Sequence, residues 1–513
     1  MRVVTSVRLE LGRIFSELYE EGSDGVPVFK TFIDGSWTGS SDGSTFELRT
    51  PIDGSVIARV ARCNEADLER AVRSARENQR KIRSLAAIDR IEIMEEVSKI
   101  IRDNAEDFAR TITLEMGRPI SDSPGEVRAV AERLRLAMED SRKVSGEYIP
   151  GDWSPDTAGK VAIVLREPVG VVGAIGPFNY PLFIPSAKVI PAILAANSVV
   201  AKPSSSTPIS MLLLARAFQL AGLPDGVLNV VTGPGFLGSL LAAHPDVGMI
   251  SFTGSTEVGK EVARHAVGKM LHLELGGKAY AIVLDDADVR LSAAKCVEGS
   301  LRNAGQRCDA VSAVLVQESV ADEFVEEVLK RVEDWKLGDP RDPATRIGPL
   351  VNEQAAERVN GLVRDAVEKG AVLLHGGQRE GAYHQPTVLD EVPESARVLW
   401  EETFGPVIPI FRIRDEDQAL QIAERSRYGL DAAVFTNNFY RMWRVAKALR
   451  VGEVTINDYP RHGVGFFPFG GVKDSGLGRE GIGYSIEEMM VIKTIVFNLE
   501  PAGLGKIRRP RTI

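Results

Sequence analysis

The stretch that decides the fold is VVGAIGPFNYPLFIPSAKVIPAILAANSVVAKPSSS, residues 171–206. Two short apolar runs, Val171–Ile175 and Ser198–Ala201, predict buried strands, and residues 186–196 between them predict a helix. A strand, a helix and a second strand in this order form a βαβ unit, in which the two strands lie parallel. The stretch therefore predicts a parallel sheet covered by helices.

The alternation of strands and helices continues outward from this stretch. Apolar runs at residues 227–231 and 247–252 each predict a strand followed by a helix, and a second series begins after Glu274-Leu-Gly-Gly and extends to about Gly481. Such alternation is typical of doubly wound parallel sheets with right-handed connections. We therefore predict an α/β fold with two successive α/β units.

Two strand-like segments stand apart from this pattern. Lys160–Arg166 interrupts the first unit, and Lys493–Glu500 follows the second. Two strands that project from distant parts of a chain often form an arm between subunits. A homo-oligomer, either a dimer or a tetramer, is therefore expected.

The composition excludes several classes of protein. The 513 residues include 62 Lys and Arg against 71 Asp and Glu, a net charge of −9, and a chain this acidic without a basic stripe is unsuited to nucleic acid. The three cysteines, Cys63, Cys296 and Cys308, form no CxxC pair, so neither a metal site nor a redox disulfide is expected. So few cysteines fit a reducing compartment.

No segment is predicted to enter or cross a membrane. The N-terminus lacks the apolar core of a signal peptide, and the most apolar stretch, Val169–Ala201, is interrupted by four prolines and by Lys188. That stretch predicts buried strands and loops rather than a membrane span. A cytoplasmic protein is expected.

Three residues in separate motifs are candidates for catalysis. Cys308, in Ala304-Gly-Gln-Arg-Cys-Asp, follows a glycine turn and an arginine, and a positive neighbour lowers the pKa of a thiol and favours the nucleophilic thiolate. Glu274 precedes a Gly-Gly turn and suits a general base. Asn179, on a proline-flanked loop, suits an oxyanion hole. The alternatives are a small buried cysteine, a loop carboxylate and an Asx turn.

Two strand-to-helix junctions are candidates for phosphate binding. Lys202 follows one strand and precedes a helix, and Gly254-Ser-Thr-Glu-Val-Gly259 occupies the same position after another strand. Phosphates bind at such helix N-termini, at the carboxyl edge of a parallel sheet. The chain lacks the usual G-x-G-x-x-G motif of dinucleotide sites, so neither junction identifies a nucleotide by itself.

Taken together, the motifs resemble those of the aldehyde dehydrogenase superfamily, in the same order across residues 30–500. The carrying motifs are PFNYP (177–181), KPS (202–204), FTGS (252–255), ELGGK (274–278), GQRC (305–308), EETFGP (401–406) and PFGG (468–471). The resemblance implies an α/β, aldehyde dehydrogenase-like fold with a modified Rossmann cofactor domain, an α/β catalytic domain and a β-arm for oligomerisation. The expected division is a loosely attached leader over residues 1–29, the cofactor domain over 30–145 and 168–273, the arm and tail over 146–167 and 484–513, and the catalytic domain over 274–483.

The resemblance also implies a role for each candidate. Cys308 attacks the aldehyde, Asn179 and the backbone N–H of Cys308 hold the oxyanion, hydride passes to the nicotinamide, and Glu274 activates the water that hydrolyses the thioester. The expected enzyme is an NAD(P)-dependent, non-acylating aldehyde dehydrogenase whose product is a carboxylic acid. Cofactor contacts are expected from Lys202, Ser205, Gly233, Gly254, Ser255, Glu402 and Phe404.

NADP is the expected cofactor, with NAD as the alternative. NAD-specific relatives place a glutamate three residues after the lysine, where it binds both hydroxyls of the adenosine ribose, and here that position is Ser205. A glutamate would repel a 2′-phosphate, whereas serine can donate to it and Lys202 can pair with it.

Within the superfamily, the chain is similar to the non-phosphorylating glyceraldehyde-3-phosphate dehydrogenases in GEYIPGDW (146–153), GQRCDA (305–310), DYPRHG (458–463), EGIGYSIE (480–487) and KTIVFN (493–498). This resemblance implies oxidation of glyceraldehyde 3-phosphate to 3-phosphoglycerate, with substrate contacts from Arg142, Tyr180, Arg307 and Arg461, because arginine forks suit phosphate dianions. Where some members of the branch read Gly-Gly-Gly-Asp-Pro, this chain has Gly276-Gly-Lys-Ala-Tyr280.

Other functions on the same fold remain as alternatives. A semialdehyde, lactaldehyde or broad-specificity aldehyde dehydrogenase would share the catalytic residues and differ in the pocket. A CoA-acylating enzyme would commonly lack the glutamate found at Glu274. A catalytically silent binding or structural protein would be expected to have lost the cysteine, the glutamate or the asparagine.

Overall fold

The computed structural model describes residues 9–461, 463 and 465–499. In chain order, the strands are β1 (Tyr19–Glu21), β2 (Pro27–Phe29), β3 (Thr31–Ile33), β4 (Ser36–Thr38), β5 (Thr45–Arg49), β6 (Val56–Ala61), β7 (Glu147–Pro150), β8 (Lys160–Pro168), β9 (Val171–Ile175), β10 (Ser198–Lys202), β11 (Leu228–Val230), β12 (Met249–Thr253), β13 (Met270–Glu274), β14 (Ala279–Val283), β15 (Val311–Gln317), β16 (Val372–His375), β17 (Arg379–Glu380), β18 (Tyr383–His384), β19 (Thr387–Asp390), β20 (Val407–Ile413), β21 (Asp431–Phe435), β22 (Glu453–Ile456), β23 (Gly476–Leu477) and β24 (Met490–Asn498). The α-helices are α1 (Glu65–Ser84), α2 (Ala87–Asp103), α3 (Ala105–Met116), α4 (Ser123–Ser141), α5 (Phe183–Leu194), α6 (Ile209–Leu220), α7 (Phe236–Ala243), α8 (Thr256–His265), α9 (Val289–Leu301), α10 (Glu318–Val332), α11 (Glu353–Glu368), α12 (Glu416–Arg425), α13 (Phe439–Ala448) and α14 (Tyr484–Glu488).

The parallel sheet expected from residues 171–206 is confirmed. Its eight strands lie in the order β23-β13-β12-β9-β10-β11-β3-β4, and the five strands from β13 to β11 run parallel. Every residue of β9, β10 and β11 is buried, which is why these strands are mainly apolar in sequence. The order reverses at β9, and in such sheets ligands bind outside the carboxyl ends of the strands at the reversal.

The parallel arrangement brings several candidate residues to one edge of this sheet. Lys202 and Glu274 are the last residues of β10 and β13, and the PFNYP and FTGS motifs follow or end β9 and β12. The register pairs Lys202 with Ile175 and Glu274 with Thr253. Residues that are far apart in the chain therefore share the carboxyl edge of the sheet.

A second, seven-stranded sheet follows in the order β16-β19-β20-β15-β14-β21-β22. Strand β14 runs parallel to both of its neighbours, β15 and β21. Strand β14 begins just after Glu274-Leu-Gly-Gly, and β15 begins just after Cys308. The amino edge of this sheet therefore meets the carboxyl edge of the first, and the candidate residues lie between the two.

A three-stranded antiparallel sheet, β24-β8-β7, forms a separate layer. Strand β24 pairs with β8 along its whole length, from Met490 opposite Pro168 to Asn498 opposite Lys160. Large apolar side chains on β24 are exposed, including Ile492 and Val496 at 61% each. Strand β24 therefore presents apolar side chains to solvent in the single chain. Within the described part of the chain, no helix is long and apolar enough to cross a membrane.

The expected loosely attached leader is in fact packed against the body of the protein over residues 9–29. Phe15 and Leu18 are fully buried, and the ring of Phe15 meets the edge of Phe108 with centroids 5.8 Å apart. Strands β1 and β2 extend a four-stranded sheet. Burying each such side chain stabilises the fold by about 1.5–3 kcal/mol, so the expectation of a loose leader is wrong for this segment. Residues 1–8 lie outside the described residues.

Alanine substitutions at two glycines should have opposite effects on the stability of the fold. A Cβ on Gly452 would lie 1.7 Å from the carbonyl oxygen of Gly470, whereas a Cβ on Gly361, inside α11, would meet nothing within 4 Å. Gly452→Ala should lower the free energy of unfolding by about 1–3 kcal/mol or more through overpacking. Gly361→Ala should raise it by roughly 0.5–1 kcal/mol because alanine is the better helix former. Urea unfolding of both variants measures the effects, and equal shifts would contradict this packing.

Candidate active site

A cavity of about 310 Å³ opens between the two large sheets. Its wall contains two candidate catalytic residues, Cys308 and Glu274, and three of the four candidate substrate residues, Tyr180, Arg307 and Arg461. Charged side chains that were not predicted also line it: Arg118, Asp122, Glu126, Arg302, Asp309 and Glu480. The cavity therefore combines a thiol, a buried carboxylate and several guanidinium groups.

A strained turn carries Cys308 into the cavity. After α9, Asn303, Ala304 and Gly305 take left-handed φ angles of 54°, 54° and 70°, and each non-glycine residue in this region costs of order 1–3 kcal/mol. A Cβ on Gly305 would lie 2.2 Å from the carbonyl oxygen of Gly405. The glycine of the GQRC motif is thus required both by its φ angle and by this close approach.

The surroundings of Cys308 favour the protonated thiol. Burial raises the pKa of Cys308 well above its ordinary value, and Asp309, Asp431 and Glu274 raise it further, whereas Arg307 lowers it. Arg307 is itself paired with Asp309, since its Nε donates to Oδ1 at 3.0 Å and its Nη2 lies 2.9 Å from Oδ2. The expectation that Arg307 alone would favour a thiolate is therefore not met, and the thiol needs a base to remove its proton.

Glu274 has the surroundings of a general base. It is 3% exposed, and among the described residues neither carboxylate oxygen has a hydrogen-bond partner. Nε2 of His272 lies 3.2 Å from Oε1, an ion-pair contact without hydrogen-bond alignment. Burial raises the pKa of Glu274 to about 7, while His272 lowers it and Glu480 raises it. A carboxylate that titrates near neutrality with unoccupied oxygens can take a proton from water.

Asn179 is buried beside the turn that carries Cys308, and it does not itself line the cavity, although its neighbour Tyr180 does. Its Nδ2 donates to the carbonyl oxygen of Gln306 at 2.9 Å, and its own carbonyl oxygen accepts from Nη2 of Arg118 at 2.8 Å. Arg118 is paired with Glu126, whose Oε1 accepts at 2.9 Å from the two backbone N–H groups that begin α5. The amide is therefore held on a rigid loop, as an oxyanion donor requires.

Lys202, a candidate for cofactor binding, is buried at the carboxyl end of β10. Lys202 donates only to the next carbonyl oxygen, at 3.2 Å, and has no carboxylate partner among the described residues; burial lowers its pKa to about 8. The Ser205 hydroxyl donates to the carbonyl oxygen of Gly233 at 2.6 Å. Gly254 leads into Ser255, whose side chain caps α8. An unpaired buried ammonium beside a helix N-terminus fits a phosphate group.

Glu402 and Phe404 lie in one loop, just before β20. Oε1 of Glu402 accepts from the N–H of Gly277 at 3.1 Å, and burial raises the pKa of this carboxyl. Phe404 has a φ of 49° and packs edge-on against Phe178, with centroids 5.8 Å apart. A half-buried carboxylate acceptor beside two aromatic rings fits a ribose hydroxyl and a flat ring.

Lys278 anchors this loop, a role that sequence reasoning missed. It is buried, and its Nζ donates to the carbonyl oxygens of Val398 at 2.6 Å and Ser312 at 2.8 Å and to Oγ1 of Thr403 at 3.1 Å. Burial lowers its pKa to about 7. At the motif where some members of the branch read Gly-Gly-Gly-Asp-Pro, Lys278 therefore supports the loop and does not line the cavity.

The structure brings only part of the expected arginine cluster together. Arg307 lines the cavity, and its Nη1 is buried without a hydrogen-bond partner in the described chain. Arg461 lines it too, but Arg142 is exposed at the end of α4 and lies outside the cavity wall. The expected phosphate contact from Arg142 is therefore wrong, because α4 ends at Ser141 and leaves the next side chain in solvent.

Two other arginines, which sequence reasoning missed, line the cavity. Arg302 donates from Nη1 to the hydroxyl of Tyr459 at 3.0 Å and from Nη2 to Oδ1 of Asp122 at 3.2 Å. Arg118 lies over the ring of Tyr180, 4.2 Å from its centroid. The position of Arg302 just before GQRC was the available signal for the first. Arg118, in a short turn between two helices, carries no local signal.

Comparison with known proteins identifies the family of this chain. The model of the Aldehyde dehydrogenase family matches residues 37–495. The chain is 40% identical over 473 residues to an NADP-dependent glyceraldehyde-3-phosphate dehydrogenase of Streptococcus equinus, covering 92% of this chain and 99% of that one. It is 37% identical over 472 residues to a 3-sulfolactaldehyde dehydrogenase of Pseudomonas putida, covering 91% and 96%. The crystal structure of the NADP-dependent glyceraldehyde-3-phosphate dehydrogenase from Bacillus halodurans C-125, complexed with NADP, superposes with a TM-score of 0.90 at 37% identity, over 92% of this chain and 99% of that one. On these matches and this fold, the chain belongs to the aldehyde dehydrogenase family.

Proposed function

We propose that this aldehyde dehydrogenase uses NADP to oxidise a small anionic aldehyde, with glyceraldehyde 3-phosphate to 3-phosphoglycerate as the leading reaction. The observation that carries the proposal is Nη1 of Arg307, a buried donor without a hydrogen-bond partner in the described chain, in the wall of the cavity that contains Cys308. An unpartnered buried donor costs about 1–3 kcal/mol, more when charged. An anionic group on the substrate would satisfy this donor.

The catalytic roles follow from the positions of three side chains. The thiol proton of Cys308 passes to water in the open cavity as its sulfur bonds to the aldehyde carbon. Nδ2 of Asn179, which keeps one hydrogen after donating to Gln306, holds the oxyanion with the backbone N–H of Cys308. NADP, held by the residues around Lys202 and Glu402, would accept the hydride. Glu274 then takes a proton from water, the water oxygen bonds to the thioester carbon, and the carbon–sulfur bond breaks to release the acid.

Glu274→Gln should block thioester hydrolysis more than thioester formation, because an amide cannot take a proton from water. Rapid mixing with cofactor and aldehyde should give a burst of reduced nucleotide followed by turnover at least about 100-fold slower than wild type, and mass spectrometry should find an acyl group on Cys308. Cys308→Ala should give neither burst nor adduct, whereas Cys296→Ala should turn over normally because Cys296 is buried outside the cavity. Equal loss of burst and steady rate in Glu274→Gln would contradict the role of Glu274.

The preference for NADP is proposed from Lys202 and Ser205. Lys202 has no carboxylate partner among the described residues, so its charge is available to a phosphate. Ser205 is half-buried on the same loop and carries no charge that would repel a 2′-phosphate. The B. halodurans relative, whose structure contains NADP, supports the same choice.

Ser205→Glu should raise the KM for NADP by about 10–100-fold and leave the KM for NAD little changed, because the new carboxylate would repel only the 2′-phosphate. The control is Ser206→Glu, which adds the same charge at the neighbouring position. Initial rates at varied nucleotide concentration measure both constants. A wild-type KM for NADP above that for NAD would rule out the preference.

The phosphate contact is proposed from Arg307 and Arg461 together. Arg461 is exposed at the cavity, and its guanidinium forms no ion pair with a described residue. The Cζ atoms of Arg461 and Arg307 lie 5.7 and 5.4 Å from the centroid of the Tyr459 ring. Both guanidinium groups therefore pack near the buried ring of Tyr459, and a pair of guanidinium groups suits a dianion. The P. putida relative makes a sulfonated aldehyde the second candidate, and semialdehydes and lactaldehyde remain alternatives.

Arg461→Leu should lower kcat/KM for glyceraldehyde 3-phosphate by about one to two decades, since a charge-assisted hydrogen bond contributes roughly 1.5–3 kcal/mol. The value for unphosphorylated glyceraldehyde should stay within about twofold. Arg142→Leu is the matched control, because it removes the same charge outside the cavity. Equal loss for both aldehydes, or a wild-type preference for the unphosphorylated one, would exclude a phosphate site and favour the alternatives.

We also propose a homo-oligomer, a dimer or a tetramer, formed through β24. Its exposed apolar side chains, Ile492, Val496 and Phe497, are 61%, 61% and 47% accessible in the single chain. Exposed apolar patches of this kind commonly mark subunit contacts. Sedimentation velocity of the full chain measures the assembly, and a single monomeric species would overturn this proposal.

A further inference from the structure

A histidine links the general base to a second carboxylate behind the cavity wall. His272 is 3% exposed and lies on β13 two positions before Glu274, so the two side chains share one face of the sheet. Its Nε2 lies 3.2 Å from Oε1 of Glu274, and its Nδ1 lies 2.7 Å from Oε2 of Glu488. Oε1 of Glu488 accepts from the backbone N–H of Arg479 at 2.9 Å. His272 therefore connects Glu274, at the cavity, with the partly exposed Glu488 through two contacts.

Two glycines allow the backbone to approach these three side chains closely. Gly478 has a φ of 86°, and a Cβ there would lie 3.0 Å from Nδ1 of His272 and 3.2 Å from both oxygens of Glu488. A Cβ on Gly470 would lie 2.9 Å from Oε1 of Glu274. Backbone therefore packs directly against the imidazole and both carboxylates, and it limits how far they can move.

The charges around His272 favour its protonated form. Burial lowers the pKa of His272, but the contacts with Glu274 and Glu488 outweigh burial and raise it to about 9. Two more charged groups face the pair: Lys188, which lowers the pKa of both His272 and Glu274, and Glu480, which raises that of Glu274. Nζ of Lys188 lies 3.6 Å from Oε2 of Glu480. Near neutral pH the imidazolium is thus the cation nearest to an otherwise unpartnered carboxylate.

We propose that His272 is the positioning residue of the general base: fixed by Glu488, its imidazolium holds Glu274 as a carboxylate directed into the cavity. The inference rests on the proposed function, in which Glu274 activates the hydrolytic water. His272 keeps its protons throughout, and the proton from water goes to Glu274. Without His272, burial would hold more of Glu274 in its protonated form at neutral pH, and a protonated carboxyl cannot act as the base. Bond formation by Cys308 needs none of these contacts.

The test is the pH dependence of acyl-enzyme hydrolysis in His272→Gln, followed by quenched-flow mass spectrometry of the acyl group on Cys308. The rate rises with pH as Glu274 ionises, so removing the neighbouring cation should move this rise to higher pH by about one unit. At pH 7 the hydrolysis rate should fall about fivefold, because the ionised fraction of Glu274 falls from about one half to about one tenth, while the burst of reduced nucleotide stays unchanged. His244→Gln is the matched control, because Nε2 of His244 lies 2.9 Å from Oε2 of Glu69 in a similar pair that does not line the cavity.

Glu488→Gln is the second variant, at a side chain that is 32% exposed and therefore tolerant of the change. It should give a smaller shift in the same direction, because the imidazolium loses its outer partner. An unmoved pH dependence in both variants, or a burst and a hydrolysis rate that fall together, would overturn the inference. If Glu274→Gln hydrolyses the thioester at the wild-type rate, the proposed function fails. If Glu274→Gln stalls and His272→Gln behaves as wild type, only the role of His272 fails.

Discussion

The active site depends on one buried ion pair, between Arg118 and Glu126. Both side chains are at most 1% exposed. Arg118 reaches the carbonyl oxygen of Asn179 at 2.8 Å and Oδ1 of Asn303 at 3.2 Å, and Glu126 satisfies the first N–H groups of α5. The loop of Asn179, the turn that carries Cys308 and two helices therefore meet at this pair. Removing one partner of such a pair costs about 3–5 kcal/mol, because it leaves the other charge buried, so the pair holds these segments in one arrangement.

The cavity brings acidic and basic side chains together around the thiol. Asp309, Asp431 and Glu274 add to burial and hold the pKa of Cys308 well above its ordinary value. Arg307, which is paired with Asp309, and Arg461 line the same cavity. In our proposal, the two guanidinium groups bind the anionic group of the substrate. The arginine beside the cysteine thus belongs to substrate recognition in our proposal, rather than to activation of the thiol.

Support for the site comes largely from buried cations and close backbone contacts. Lys278 joins the first residues of the second sheet to the loop of Glu402 and Phe404 through three hydrogen bonds. Gly305 and Gly470 let backbone or side-chain oxygens approach to distances that any Cβ would prevent. Because these contacts are made by groups far apart in the chain, the site is assembled only when both sheets are in place.

How much could be predicted from the sequence is clearest at residues 171–206. Strand β9 matches the expected Val171–Ile175, and β10 begins at Ser198 as expected, because a run of β-branched residues is a local property. The family motifs likewise identified Cys308, Glu274 and Asn179 as candidates, since their neighbours in the chain carry the pattern. Helix α5 begins at Phe183 rather than Ser186, because a carboxylate from α4 satisfies its first N–H groups.

The sequence by itself therefore determined the alternation of strands and helices that builds the first parallel sheet, the family and the candidate nucleophile and base. Only the tertiary structure decided which charges meet. It placed Arg142 in solvent and brought Arg118 and Arg302 to the cavity. It also set Glu488 behind His272, 216 positions away in the chain. The physical reason is that a strand or a turn follows from neighbours in the chain, whereas the pairing and pKa of a buried charge follow from groups that only long-range packing brings within a few ångströms.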